Sequence, residues 1–236
     1  MSGAQHDVVK ARIYLAGFDV FRVDALDYGR SLQRMCADAG FEGLYPLDAL
    51  VPADLSPQEK AAWIYRSNLA AIGRADIVMA NVADFRGAGE PDSGTAFEIG
   101  FAAALGKPIW AYREDVTELR ERVPCSATEL GDVCDRGYLV EDFGLPLNLM
   151  LACAVTIVQG GPLACLHAIS VAYERGTKAL RLHGFRLCVK PGLVNTLHLT
   201  MVLFRSWVLF DLSTTSACFA FFWSFASSSA LLPSFT

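Results

Sequence analysis

Charge is scarce in this chain. Only 19% of its 236 residues are Asp, Glu, Lys or Arg, against 53% hydrophobic. The balance is acidic, with a formal net charge of −5. A general nucleic-acid binder shows a basic face, so no nucleic-acid partner is expected. Histidine is scarcer still. His6, His167, His183 and His198 stand near no Cys or Asp cluster, and no metal site is expected. Cys-x-x-Cys spacing is absent. The seven cysteines (Cys36, Cys125, Cys134, Cys153, Cys165, Cys188 and Cys218) are odd in number. They read as reduced, intracellular thiols, mostly buried as small apolar residues. Met1 to Lys10 is polar and holds no apolar signal core, which fits a cytoplasmic protein.

Alternation is what the chain does have. Ala11–Ala16 reads as a strand closed by Gly17, and Phe18–Asp24 as a loop. Leu26–Ala39 reads as a helix ended by Gly40, and Phe41–Pro46 as a second strand. Ser56-Pro57-Gln58-Glu59 has the form of a capping box with Pro at the first helical position, opening a helix to about Gly73. Asp76–Val82 is a continuous apolar run that fits a central parallel strand. A helix over Thr95–Leu105 and a strand over Pro108–Tyr112 follow. Arg113–Arg122 is charged and partly helical, and Gly137–Glu141 reads as a short strand. Leu145–Ala154 reads as a helix, Thr156–Gln159 as a last strand and Pro162–Arg175 as a last helix. Such βα repetition predicts an α/β fold with a doubly wound, flavodoxin- or Rossmann-like parallel sheet and helices on both faces. Ligands bind such sheets at the carboxyl ends of the strands.

Pro91 to Gly100 is the densest candidate stretch. Asp92 and Glu98 flank a turn of small residues that leads into an apolar helix. Paired carboxylates of unlike environment suit glycosidic-bond chemistry. The same residues also read as a helix cap and an acid on the wet face of that helix. The strand order places Tyr14, Asp92 and Glu98 at one ligand-binding edge.

Four runs occur in a telling order: Ile13-Tyr14-Leu15-Ala16-Gly17, Ala75–Asn81, Asp92-Ser93-Gly94-Thr95-Ala96-Phe97-Glu98-Ile99-Gly100 and Gly144–Met150. Together they resemble the nucleoside 2-deoxyribosyltransferase family, over about Ala11 to Arg175. The resemblance implies 2′-deoxyribonucleosides and free nucleobases as partners, and no cofactor. It implies Glu98 as the nucleophile that forms a deoxyribosyl ester, Asp76 as proton donor to the leaving base, Asp92 as a substrate ligand and Tyr14 as the hydrogen-bond donor that orients Glu98. It implies a homo-oligomer in which Asn148 and Met150 reach a neighbouring site. It assigns base contacts to the loop of Gly17, Phe18 and Phe21, whose rings can stack on a base or fill the core. Family members often carry proline where Phe18 and Val23 stand here, a departure that bears on base preference. A cousin family hydrolyses deoxyribonucleoside 5′-monophosphates, with a first loop rich in Gly, Ser and Arg. Here that loop has Asp19 and Asp24 and the single cation Arg22, which favours a nucleoside over a nucleotide. Hydrolysis without transfer, and a catalytically idle nucleoside-binding protein, are the alternatives.

The resemblance assigns residues 11–176 to a catalytic domain and leaves 177–236 as an apolar extension. After Leu180 the single acidic residue is Asp211, and Leu212–Pro233 carries no charge. That run has the length of a membrane span, so a tail anchor stands beside an unselected or disordered extension as a reading. Recovery of the full-length protein wholly in the soluble fraction rules the anchor out.

Overall fold

A computed structural model describes residues 10–182, with side chains through residue 176. From residue 183 on, the apolar extension and its membrane reading lie outside the described residues. No described helix is long and apolar enough to cross a membrane.

The chain runs β1 (Arg12–Ala16), a 3-10 turn (Phe18–Phe21), α1 (Ala25–Asp38), β2 (Glu42–Leu44), α2 (Pro57–Arg74), β3 (Ile77–Asn81), α3 (Ser93–Ala104) and β4 (Ile109–Arg113). It continues with α4 (Leu119–Arg122), β5 (Cys125–Thr128), β6 (Gly131–Cys134), α5 (Leu149–Ala152), β7 (Thr156–Gln159) and α6 (Pro162–Leu182). The main sheet has the order β2-β1-β3-β4-β7, and every pairing in it is parallel. The order reverses between β1 and β3, which is the switch point where such sheets bind ligands.

Strand periodicity decides which side chains meet which helices. Odd positions of β1 and β3, Ile13, Leu15, Ile77 and Met79, pack with Leu32 and Cys36 of α1 and with Cys165, Leu166 and Ile169 of α6. Even positions, Tyr14, Ala16, Val78 and Ala80, pack with Ile72 of α2 and with Ile99 and Ala102 of α3. Tyr14 therefore points into the α2/α3 layer, and a polar atom at its tip must find a partner there.

Helix α2 starts as the sequence predicts. The Ser56 hydroxyl accepts from the Glu59 N–H, and the Glu59 carboxylate accepts from the Ser56 N–H, completing a capping box. The expected strand at Gly137–Glu141 does not form. A separate antiparallel hairpin, β5–β6, stands before it, and the returning chain makes a single bridge, Val133 to Leu139. The helix expected over Leu145–Ala154 shrinks to the short α5. Pro146 biases Leu145 away from helical dihedrals, and the Asn148 side chain starts the turn by accepting from the Met150 N–H at 3.0 Å. The cysteines are less hidden than expected: of those described, Cys36 and Cys165 are buried, while Cys125 and Cys153 are exposed.

The loop after β3 is clamped from behind. Arg113, 3% exposed, donates to Asp84 at 3.0 Å and to the Val82 carbonyl at 3.2 Å. Arg122 donates to both oxygens of Asp84, at 2.9 and 3.1 Å, and to the Pro146 carbonyl. Burial would raise the Asp84 carboxyl, but the Gly89 N–H and these guanidinium groups outweigh it and hold the group below its usual range. This anchorage fixes the root of the loop that delivers Asp92.

Candidate active site

Helix α3 brings the carboxylates to the sheet. Asp92 is its N-cap: Oδ2 accepts from the Thr95 N–H at 2.9 Å and from the Thr95 hydroxyl at 3.1 Å. Gly94 permits this turn, since a Cβ there would lie 3.0 Å from Asp92 Oδ2. The cap uses one oxygen of Asp92, and among the described residues Oδ1 has no hydrogen-bond donor. The helix-cap reading and the substrate-ligand reading are therefore compatible.

Two turns along α3, Glu98 turns inward. Its Oε1 accepts from the Tyr14 hydroxyl at 2.6 Å and from the Asn68 amide Nδ2, on α2, at 3.4 Å. Among the described residues nothing donates to Oε2. Burial raises the Glu98 carboxyl to about 7, with Asp92 adding to the rise and the Tyr14 and Asn68 hydrogen bonds opposing it. Burial and the neighbouring Glu98 charge push the Tyr14 hydroxyl far up, so it stays a donor across ordinary pH. The site is a raised carboxyl with one oxygen held and, among the described residues, one oxygen without a donor.

Asp76 is not part of this group, and the role of proton donor is withdrawn from it. It precedes β3, so it sits at the amino edge of the sheet. Its carboxylate accepts from the Arg12 N–H at 2.9 Å and from Arg12 Nε at 3.4 Å. Lys107, beyond the C-terminal end of α3, is close enough to feel the Asp76 charge. Glu98 lies six residues before that helix end, about 9 Å of helix rise. The polar neighbour that the sequence reading missed is Asn68. Nothing in its own stretch of chain marks it, because only the packing of α2 on α3 brings it to Glu98.

The first loop is also reorganised. Phe18 and Phe21 both stack on Phe85, with ring centroids 4.9 and 5.5 Å apart. Arg86 lies over the Phe85 ring at 4.6 Å. Phe21 is 58% exposed and so is not core, while Phe18 and Phe85 are half-buried. Behind them, Asp19 is buried and accepts from Asn81 Nδ2 at 3.0 Å, at the carboxyl ends of β1 and β3. Gly17 is required there, because a Cβ would lie 2.9 Å from the Asn81 Cβ. Asn148 donates to Glu141 and caps α5, and Met150 is 73% exposed.

A cavity of about 450 Å³ opens beside this group, walled by Phe85, Arg86, Asp92, Ser93, Cys134 and Arg136 among others. Asp92 is the residue it shares with the carboxylate pair; Tyr14 and Glu98 are not in its walls. Among the described residues no cluster of three or more His, Cys, Asp or Glu is arranged to hold a metal ion.

Asp92→Ala and Asp92→Asn separate the roles of the cap. Alanine removes the cap and costs about 1 kcal/mol, read by thermal or urea unfolding. Asparagine keeps the cap and most of the stability but removes the anionic oxygen. It also removes a like charge from Glu98, so the acid limb of the pH–rate profile moves down. An unchanged limb with Asp92→Asn contradicts that coupling.

Comparison with known proteins agrees with this geometry. The sequence profile of the nucleoside 2-deoxyribosyltransferase family matches residues 13–150. A 2-deoxyribosyltransferase from Leishmania mexicana is 30% identical, with a TM-score of 0.53 over 69% of this chain and 97% of its own. A 2-deoxyribosyltransferase from Bacillus psychrosaccharolyticus is 20% identical, with a TM-score of 0.44 over 68% of this chain and 90% of its own. An uncharacterised protein of Schizosaccharomyces pombe, C191.05c, is 34% identical over 113 residues, which are 47% of this chain. The match spans about half of that curated relative, 54% of its length. On the profile match and the Leishmania likeness, the chain belongs to the nucleoside 2-deoxyribosyltransferase family.

Proposed function

We propose that this protein transfers 2-deoxyribose from a 2′-deoxyribonucleoside to another purine or pyrimidine base through an ester on Glu98. The observation that carries this reading is the asymmetric hold on Glu98. Tyr14 and Asn68 both grip Oε1, which aims Oε2, unpartnered among the described residues, for attack. Oε2 bonds to the anomeric carbon as the bond to the base nitrogen breaks. A second base then displaces the carboxylate from the face the first base left. Two inversions give retention, and one hard displacement becomes two easier ones. The transition state is cationic at the sugar, and the free oxygen of Asp92 supplies a further negative group at its edge.

Asn68 takes part as an amide. It can donate to or accept from a base but has no acidic proton to deliver. Base recognition falls to the Phe18–Phe85–Phe21 ring cluster, since stacking on an aromatic face contributes about 1–3 kcal/mol per base. The exposure of Met150, beside Asn148, supports the reading that both complete a neighbouring protomer's site in an oligomer. Replacing Met150 with Lys should then lower both activity and the mass seen by analytical ultracentrifugation. A fully active wild-type monomer contradicts it.

The deciding assay incubates a 2′-deoxyribonucleoside with a second free base. A new nucleoside of the same anomeric configuration is the expected product. Free deoxyribose as the sole sugar product, with or without the added base, replaces transfer by hydrolysis. No turnover of any deoxynucleoside sinks both readings.

A further inference from the structure

The β5–β6 hairpin carries a feature that deoxyribosyl transfer does not use. Cys125 and Cys134 are nine apart in sequence and stand directly opposite each other across the antiparallel pair. Both are free thiols. Directly opposed residues in such a pair are of two kinds, and the kind decides whether their sulfurs can meet. The backbone of Cys134 settles it. Its N–H donates to the Tyr138 carbonyl at 2.9 Å, and its carbonyl accepts from the Gly137 N–H at 2.9 Å. Both groups therefore face the returning chain, away from Cys125. The Val140 N–H likewise donates to the Asp132 carbonyl at 2.8 Å, two residues back on the same edge. Cys125 and Cys134 are thus a non-hydrogen-bonded pair, the close kind, with Cα atoms about 4.5 Å apart and side chains on one face. A disulfide needs Cα atoms about 4.4–6.8 Å apart.

We propose that Cys125 and Cys134 form a reversible cross-strand disulfide that locks the open end of the β5–β6 hairpin. Cys125 is exposed and Cys134 half-buried, so a small disulfide such as oxidised glutathione can reach the pair. One protein thiolate attacks a glutathione sulfur, forms a mixed disulfide and releases one glutathione thiolate. The second protein thiolate attacks the bound protein sulfur, forms the Cys125–Cys134 bond and releases the other. Two protein thiols are oxidised, one glutathione disulfide is reduced, and the two protons the protein thiols lose pass through the buffer to the two released glutathione thiolates, which become thiols. Of the other described thiols, Cys153 is exposed and is the competitor that the peptide test below separates from the hairpin pair, whereas two are poorly placed. Cys36 and Cys165 are buried in the core, where burial pushes each thiol up to about 12. The locked end lies at the cavity beside Asp92, because Cys134, Asp135 and Arg136 form part of its wall. The thiol state of the hairpin is thereby written into the wall of that cavity.

The test uses the full chain. Tryptic cleavage after Arg122 and Arg136 releases one peptide, Val123–Arg136, that contains both cysteines and no other. The native protein is equilibrated in glutathione buffers of increasing oxidised fraction, quenched with an alkylating reagent, digested and weighed. The expected product is the Val123–Arg136 peptide lighter by two hydrogen masses, unalkylated, and restored by dithiothreitol. Cys125→Ser should abolish that species and leave Cys134 alkylated. Three results overturn the proposal: a doubly alkylated peptide at every buffer ratio, a glutathione adduct as the end product, or linkage of Cys125 or Cys134 to a different peptide.

Discussion

Glu98→Gln should lower kcat for base exchange by about 10⁴-fold or more, and should make the protein harder to unfold at pH 8. The first effect follows from loss of the nucleophile in a group that works as a unit. The second follows from burial. The Glu98 carboxyl is raised to about 7, so the folded protein holds its proton where the unfolded chain, near 4.3, does not. The sign is that of a raised carboxyl. The favourable contribution is complete below the unfolded value and is lost as pH rises through about 7. Above that pH the folded protein carries a buried charge at a cost of about 3–4 kcal/mol. Glutamine keeps an oxygen for the Tyr14 and Asn68 donors and carries no charge. Urea unfolding of both proteins at pH 5 and pH 8 measures the difference, which should widen with pH. Equal midpoints at pH 8 contradict the burial argument, and residual turnover within tenfold of wild type contradicts the nucleophile. A gain in stability tied to a loss of activity is what a strained functional charge produces.

Local rules reached the elements that end in local signals. The capping box at Ser56 and Glu59, the apolar run before Asn81 and the glycine after β1 are each complete within a few residues. The sheet follows from their alternation. The hairpin was opaque because Cys125–Thr128 and Gly131–Cys134 show neither regular alternation nor a strong turn signal. The far edge of Gly131–Cys134 is bridged by the chain at Tyr138–Val140, a contact that no local pattern announces. The site divides along the same line. Tyr14, Asp92 and Glu98 sit on elements whose order brings them together, and the even register of β1 aims Tyr14 at α3. Asn68 needed the packing of two helices and had no marker of its own. Asp76 is a different case. Strand direction already placed a residue before β3 at the amino edge, so sequence likeness alone had drawn it into the site.

Tyr14→Phe should reduce kcat/KM at pH 7 by about 10- to 100-fold, the worth of one hydrogen bond to a charged group, about 1.5–3 kcal/mol. Tyr14 does not touch the sugar in this reading; it positions Glu98. Its hydroxyl, 2.6 Å from Oε1, favours the carboxylate and opposes the burial that neutralises it. Removing it leaves Oε1 with the longer Asn68 contact at 3.4 Å. The carboxyl then rises above about 7, and the acid limb of the pH–rate profile moves up with it. Part of the lost rate should therefore return at pH 9, where even the raised carboxyl ionises. That recovery distinguishes positioning from packing. Tyr14 is fully buried among Val78, Ile99 and their neighbours, and the loss of one oxygen from such a site costs stability at every pH. A merely structural role would lower activity by the same factor at pH 7 and pH 9. A limb that moves up while the fold stays intact assigns to Tyr14 the charge state of Glu98, and so the fraction of enzyme ready to attack.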